Sequence, residues 1–516
     1  MVKIKRALIS VSDKRNVVEL AKILRLANIE IISTGGTAKL LIENEIPVIE
    51  VAEYTKFPEI LNGRVKTLHP KIHGGILGNR GNKDHIKIMQ DYNIPQIDLV
   101  VVNLYPFEKT IKDSTCTLEE AIENIDIGGP AMIRAAAKNY ISVAVITNPD
   151  DYSLLTDKLK SSNNVLDDKF LLNLSKKAFL HTADYDAAVS TFLHKENTSE
   201  FPELKIQILR KKIDMRYGEN PHQKAAFYID KKIPKSSLSN FKQLHGKSLS
   251  FNNLQDADNA WECVKNFSEP TCVIVKHANP CGVCSADTNK NAYLGAYATD
   301  PTSSFGGIIA FNNLVSKDDA LLIMKQFVEV VVAPGFSSEA VTVFKEKENV
   351  RLLNVSTGND KDLFDYKKIS GGWLVQSIDN HMININECEV VSKLQPSKEQ
   401  LQDMIFAWKV AQYVKSNAIV FCSKGKTLGV GAGQMSRIDS TKIAGLKAQN
   451  AGLSLKGSVV ASDAFFPFRD GVDELVKYGA KCIIQPGGSI RDKEIIEAAN
   501  EHSLVMIFTK IRHFKH

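Results

Sequence analysis

Lys276 and His277 stand together at the end of an apolar run, Thr271-Cys272-Val273-Ile274-Val275, with a turn directly after them. A lysine and a histidine so placed pair a fixed cation with a group that exchanges protons near neutrality, the raw material of general-base chemistry. Taken alone, the pair reads as a surface feature of a strand exit. The residues that follow, Pro280-Cys281-Gly282-Val283-Cys284, invite a zinc reading, because zinc deaminases join H-x-E to a later P-C-x-x-C. Here His277-Ala278-Asn279 lacks the glutamate, and the cysteines begin four residues after the histidine, too close for that geometry. No metal is expected.

A second group of polar residues lies toward the N-terminus. Ser10-Val11-Ser12-Asp13-Lys14 and Ser33-Thr34-Gly35-Gly36-Thr37 each sit where a strand pattern gives way to a helix pattern. Glycines admit an anion close to the backbone, and hydroxyls with free N–H groups at a helix start can hold a phosphate. The run from Gly63 to Gly75 holds Arg64, Lys66, Lys71 and two histidines between glycines and a proline. Asn103 and Tyr105 end another apolar run, and Asp126 precedes a helix pattern that closes on Lys138. Singly, Asp126 reads as a capping carboxylate and Lys138 as a charge suited to a helix C-terminus. His69 and His73 are spaced like metal ligands without a third partner nearby.

These residues need a scaffold of alternating strands and helices. Ile4–Val11, Ile29–Ser33, Val48–Val51, Leu99–Leu104 and Val143–Thr147 read as strands, several of them nearly continuous in Val, Ile and Leu. Helix patterns cover Asn16–Ala27, Thr37–Asn44, Leu118–Asn124 and Ala131–Asn139. A doubly wound α/β domain with a parallel sheet follows, with ligands at the strand C-terminal ends. A long helix over Asp168–His194 leads into the polar stretch His194–Glu200, the expected linker. The domains are therefore placed at 1–199 and 200–516. The second repeats itself, dividing at about 390 into 200–390 and 391–516. Val330–Ser337 is echoed by Cys482–Ser489, each running through Pro-Gly, with strands Gly307–Phe311 and Ser458–Ser462 upstream. Long helices, Ala257–Phe267 and Lys398–Lys415, open the two halves, and a pocket between the halves is expected.

Composition narrows the class. The chain has 516 residues, 44% hydrophobic and 24% charged, with a formal net charge of +6. That is a globular, multi-domain balance, with too little clustered charge to favour nucleic acid and no apolar run long enough for a membrane span. Eight scattered cysteines and an N-terminus that enters a strand pattern directly point to a reducing, cytoplasmic setting.

Taken in order, SVSDK, STGGTA, GRVKTLHPKIHGGIL, NLYPF, NIDIGGP and RAAAKN resemble the inosinate cyclohydrolase domain of the bifunctional purine-biosynthesis enzymes, similar in fold to methylglyoxal synthase. RYGENPHQ, FNNLQDADNAW, KHANPCGV, SSFGGIIAF, VVAPGF, SNAIV, GAGQMSRID, SDAFFPFRD, QPGGSIRD and the closing RHFKH resemble the formyltransferase half of the same family. That half is built in the family from two cytidine-deaminase-like α/β subdomains without zinc. Cys284 stands where the family usually has a small residue.

The resemblance implies formyl transfer from 10-formyltetrahydrofolate to the 5-amine of aminoimidazole carboxamide ribonucleotide (AICAR), then ring closure of the formylated product (FAICAR) to inosinate (IMP). By motif, Ser12, Lys14, Thr34, Gly35, Gly36, Thr37, Arg64, Thr67 and Asn103 would hold the nucleotide in cyclisation. Lys66, Tyr105, Asp126 and Lys138 would carry its chemistry, with Asp126 as proton acceptor and a lysine at the oxyanion. For formyl transfer, His277 would act as base and Lys276 as its electrostatic partner, with Arg216, Tyr217, Asn417, Ser436, Arg437, Arg512 and His516 on the nucleotide. Phe465 and Asp470 would meet the folate, although Phe465-Phe466-Pro467-Phe468 also reads as core, with two of its three phenylalanines inside. The family implies a homodimer and leaves room for a potassium ion near the transferase site. Two other readings are a zinc nucleoside or nucleotide deaminase fused to a phosphate-binding domain, and a regulatory nucleotide-binding protein without activity. The lysines, Tyr105 and Asp126 at separate strand ends, and a complete second half, argue against the latter.

Overall fold

The computed structural model describes residues 1–113, 115–194, 200–358, 360 and 362–516. Most of the expected linker, 195–199, lies outside the described residues. Two compact units divide the chain, Met1–Ile208 and Leu209–His516.

In the first unit, β1 (Arg6–Val11), β2 (Glu30–Ser33), β3 (Ile49–Glu50), β4 (Leu99–Asn103) and β5 (Ala144–Ile146) form an all-parallel sheet in the order β3-β2-β1-β4-β5. Every residue of β4 is buried, as a central strand covered on both faces requires. Helices α1 (Val17–Leu26), α2 (Gly35–Glu43), α3 (Gly128–Lys138) and α4 (Asp168–Leu193) accompany the strands. The helices α2 and α3 both begin on glycines, α2 two residues and α3 three residues earlier than the apolar pattern indicates. Periodicity marks the packed apolar side chains of a helix and passes over a first turn of glycines, which have no side chain to show it.

The second unit holds a twelve-stranded mixed sheet. Its first half contains β6 (Lys242–His245), β7 (Thr271–Lys276), β8 (Asn279–Ser285), β9 (Ile308–Phe311), β10 (Val330–Ala333) and β11 (Arg351–Asn354). Its second half contains β12 (Glu389–Val390), β13 (Ile419–Ser423), β14 (Lys426–Gly431), β15 (Val459–Ser462), β16 (Cys482–Gln485) and β17 (Val505–Phe508). The order β6-β11-β10-β9-β7-β8-β14-β13-β15-β16-β17-β12 reads the same outward from its centre in both directions. In each half a hairpin is followed by an antiparallel strand, then two parallel neighbours, then an antiparallel edge.

The duplication extends to the helices. Helix α5 (Phe251–Val264) opens the first half with a capping box between Ser250 and Asn253, and Asn289–Thr299 (α6) follows the hairpin. Helix α7 (Lys398–Ala411) opens the second with a capping box between Ser397 and Gln400, and Arg437–Asn450 (α8) follows its hairpin. Eleven residues after each cap serine stands a buried tryptophan, Trp261 and Trp408. Each hides on the order of 200 Å² of ring surface in the core shared by the halves. The Ser250 box starts α5 well before the expected Ala257, a capping signal that the apolar spacing does not carry.

The halves join edge to edge within one sheet. At the centre, β8 and β14 pair only at Cys284 and Lys426. The Thr427 hydroxyl extends that seam, accepting from Val283 N at 2.9 Å and reaching Val283 O at 3.1 Å. Glycines let α6 and α8 lie directly on the strands: a Cβ on Gly282 would meet Ala296 O at 1.9 Å, and one on Gly431 would meet Ser440 O at 1.9 Å. Among the described residues no helix is long and apolar enough to cross a membrane.

Candidate active sites

Because β2, β1 and β4 are neighbours, their C-terminal ends lie side by side, and the segments leaving them surround a cavity of about 760 Å³. It is lined by Ser12, Lys14, Thr34, Gly35, Gly36, Thr37, Arg64, Lys66, Thr67, Asn103, Tyr105 and Asp126, residues from segments far apart in the chain. Ser10, Glu59, Asn62 and Asn124 line it too. Glu59 and Asn62 fall in none of the polar segments picked out in the sequence, and only the fold brings them in. Lys138 does not line it. It is exposed at the far end of α3, roughly 15 Å along the helix from Gly128.

The lining residues divide into those that build the cavity and those left free for a ligand. Asn103 Oδ1 accepts from Ser12 N at 2.7 Å and Asp13 N at 2.9 Å, while its Nδ2 donates to Asp13 O, so it shapes the loop after β1. Thr37 Oγ1 donates to Val11 O and accepts from Val11 N, tying α2 to the end of β1. By contrast Thr34, the N-cap of α2, makes no side-chain capping bond, and the first amides of a helix have no acceptor within it. Arg64 is exposed and paired with Glu123.

Positive charge gathers at the start of α2. Lys14 Nζ lies 3.1 Å from where a Cβ on Gly36 would stand, and Lys66 Nζ lies 3.7 Å from the equivalent point on Gly35. Glu59 stands 4.0 Å from Lys66. Two ammonium groups, a helix N-terminus and a free hydroxyl make a site for a phosphate or similar anion.

Across the cavity, Asp126 is the group suited to accept a proton. Burial pushes its carboxyl pKa up, while N–H donors and the Lys66 charge hold the rise in check. Its Oδ1 accepts from Gly129 N at 2.8 Å. Tyr105 is half exposed on the cavity wall. His69 caps the helix Pro70–Leu77, its Nδ1 accepting from Lys71 N at 3.1 Å. His73 has its pKa lowered by burial.

In the second unit, β7 ends at Lys276 and the chain reverses through His277 and Ala278, with φ of 53° and 58°, into β8. Two consecutive positive φ values make the tight hairpin turn that antiparallel strands favour. The Asp256 carboxylate on α5 holds it, accepting from Ala278 N at 2.7 Å and His277 N at 3.3 Å. The exposed His277 ring is thereby presented beyond the sheet, and Lys276 Nζ donates to Phe305 O at 2.6 Å. Asp256 escapes a reading by residue type, although FNNLQDADNAW contains it.

A chain of hydrogen bonds connects this turn to the second half. Asn279 Oδ1 accepts from Lys415 N at 2.9 Å, and Ser416 donates to Asp463, which is fully buried. Arg437 Nη2 donates to Asp463 at 3.2 Å and Nε to Ser462 Oγ at 3.1 Å. The Arg437 guanidinium is thus committed within the protein, and burial lowers its pKa. Ser436 caps α8 and donates to Asp439 at 2.7 Å, and Asn417 Nδ2 donates to Gln434 O at 2.9 Å. The closing residues are tied to the same cluster, with His513 N donating to Asp463 O and Lys515 N to Ser416 Oγ. Arg512 and His516 stay exposed on either side of Phe514.

Other expected residues stand apart. Arg216 and Tyr217, 3.0 Å from each other, line a cavity of about 200 Å³ with Glu329 and Arg351, inside the first half. Asn253 of α5 lines it as well, one helical turn before Asp256. Phe465 is half-buried, Phe466 fully buried and Phe468 exposed. One of the three phenylalanines is therefore core rather than two, because the chain turns outward at Pro467. Asp470 is exposed at the start of the helix Asp470–Lys477. Burial pushes the thiols of Cys281 and Cys284 up to about 12 and about 11, the reverse of what a metal-ligating thiolate needs.

A family model described as AICARFT/IMPCHase bienzyme matches residues 136–447, more than half of the chain. An MGS-like domain model matches residues 16–131. A solved structure titled "Crystal structure of ForH" is 35% identical, covering 37% of this chain and 99% of its own, with a TM-score of 0.33.

Proposed function

Since the chain belongs to the AICARFT/IMPCHase bienzyme family, we propose that its two activities are divided between its two units, cyclisation in the first and formyl transfer in the second. The protein is an AICAR formyltransferase and IMP cyclohydrolase of purine biosynthesis that takes its formyl group from a formyl-folate co-substrate. The observation that carries the division is the cavity at the ends of β2, β1 and β4, where anion-holding and proton-transfer groups meet without a contribution from the second unit.

In cyclisation the phosphate of the formylated nucleotide rests at the start of α2, against Thr34, Lys14 and the Gly35-Gly36 amides. The carboxamide nitrogen attacks the formyl carbon and forms the new C–N bond, while Asp126 takes the nitrogen's proton. Lys66 stabilises charge on the formyl oxygen, a role that its place on the cavity wall supports for it over Lys138. Tyr105 supplies the proton on that oxygen, giving a carbinolamine. The proton that Asp126 holds then passes to the hydroxyl, which leaves as water, while the former formamide nitrogen returns its proton to Tyr105 and the ring C=N bond forms.

In formyl transfer His277 removes the proton from the AICAR 5-amine as the nitrogen attacks the formyl carbon. That amine is a weak nucleophile because its lone pair is delocalised into the ring. Lys276 stabilises the oxyanion, and collapse of the adduct breaks the bond to the folate nitrogen, which leaves with the proton that His277 took from the amine. Arg216, Tyr217, Asn417, Ser436, Arg512 and His516 hold the nucleotide, and Phe465 and Asp470 the folate. Arg437 acts through Asp463. A potassium ion near this site belongs to the reading as well, and no step passes through it.

The reading includes a homodimer in the cytoplasm. The hairpin of Phe364–Ile369 and Gly372–Ser377 leaves Trp373 58% and Leu374 56% exposed, an apolar surface that a second copy would cover. Incubation with AICAR and 10-formyltetrahydrofolate, following folate release and IMP formation together, tests the division. His277→Ala should abolish formyl transfer yet still cyclise supplied FAICAR, and loss of both would overturn it.

A further inference from the structure

We propose that Tyr185 is the positioning residue for the cyclohydrolase base, and this inference rests on the reading of Asp126 as proton acceptor. The Asp126 N–H donates to the Tyr185 hydroxyl at 2.7 Å, across 59 positions of sequence. The Asp126 carboxylate itself accepts from Gly129 N, three residues on, and from the Tyr105 backbone. The residue between Asp126 and α3, Ile127, is the helix N-cap and makes no side-chain capping bond. The bend that carries the carboxylate is therefore held from outside by the phenol.

That phenol is itself held in place. Its ring packs edge-on against Phe107, centroids 6.2 Å apart, and Phe107 packs edge-on against Phe192 at 5.6 Å. Tyr185 and Phe192 both lie on α4, and Phe107 is buried. Phe107 N also donates to Tyr105 O at 2.7 Å. One side chain on α4 thus braces both segments that bring proton-transfer groups to the cavity, the Asp126 bend by a hydrogen bond and the Tyr105 turn through Phe107. Tyr185 is not among the residues that line the cavity, so it acts through Asp126 and Tyr105 rather than on substrate. A carboxylate that must meet an amide proton at one geometry loses rate steeply when its backbone drifts.

Tyr185→Phe in the full chain keeps the ring packing and removes the acceptor. Cyclisation kcat should fall about tenfold, with KM for FAICAR changed less than about twofold. Formyl transfer should be unchanged. Tyr185→Leu, which also removes the brace on Phe107, should lower cyclisation kcat about a hundredfold while formyl transfer still reports a folded second unit. Wild-type kcat in Tyr185→Phe, or a rise in KM alone, would overturn the proposal. Asp126→Asn is measured in parallel. If it cyclises normally, the assignment of Asp126 fails; if it is inactive while Tyr185→Phe is normal, only the role of Tyr185 fails.

Discussion

Lys14 and Gly36 approach each other so closely that a methyl group on Gly36 would stand 3.1 Å from the lysine Nζ. Gly35 stands in the same relation to Lys66, at 3.7 Å and with a φ of +52°. Two loops distant in sequence therefore converge on one helical turn, and the glycines are what let them in. Gly36→Ala should fold, because the end of a lysine side chain can withdraw. KM for FAICAR should rise about tenfold in cyclisation, with kcat altered less than threefold. Gly35→Ala should also lower the melting temperature of the first unit, since a Cβ in the left-handed region costs about 1–2 kcal/mol. Steady-state kinetics and calorimetry on the two variants separate these effects.

Asp126→Asn should lower cyclisation at least about a hundredfold and leave formyl transfer intact. It should also show a pH-dependent stability. Burial raises the Asp126 pKa, so the folded chain holds this proton more tightly than the unfolded one. The stabilisation from the bound proton is complete below the ordinary value of 3.8 and is lost as pH rises through the raised value. At neutral pH the ionised carboxylate therefore costs stability that the amide does not, and the variant's first unit should melt higher. The gap should close near pH 3. A variant that melts lower than wild type at pH 7 would contradict this assignment of the shift.

Asp256→Ala should release the Lys276-His277 turn without touching substrate. Formyl transfer should fall about ten- to a hundredfold, and amide exchange at His277 and Ala278 should quicken by a similar factor. Asp256→Asn, which keeps one acceptor oxygen, should lie between. Equal transfer rates in all three proteins would show that the turn holds its shape unaided.

Arg437→Leu should destabilise the second unit by about 3–5 kcal/mol, because it leaves the fully buried Asp463 carboxylate without its cation. Denaturant melts of the full chain should show the second unit's transition moved to lower denaturant, with cyclisation retained. A shift below about 1 kcal/mol would mean that Ser416 and the closing residues satisfy Asp463 by themselves.

Much of this was legible in the residues. The parallel strands are visible because a strand buried on both faces is a run of Val, Ile and Leu, as Leu99–Asn103 is. The phosphate-type loops are visible because two such Ser/Thr/Gly segments stand at adjacent strand ends, where one alone would read as an ordinary cap or turn. What periodicity missed were the glycine-led or capped first turns, Gly35, Gly128 and Phe251, where no buried apolar side chain begins the pattern. Asp256 and Tyr185 were invisible for another reason. Each acts on a backbone amide far away in sequence, and an amide leaves no trace in residue type. Lys138 shows the opposite limit, since a motif member can be recognised while its position at the end of a helix depends on where that helix starts.

The single pairing at the seam of the twelve-stranded sheet bears on the order in which the protein takes shape during synthesis. Every strand of the first half-sheet lies between Lys242 and Asn354, so all its partners have emerged before the second half is made. The second half is different, because its edge strand Glu389–Val390 pairs with Val505–Phe508, near the last residues translated. At the central seam stands Thr427, whose hydroxyl completes the join to Val283. A ribosome thus hands over one finished half-sheet with an open edge at Asn279–Ser285, and that edge waits exposed until Lys426 and Thr427 arrive. Variants at Thr427 should therefore reduce the yield of folded protein from cells more than they lower the stability of chains already folded.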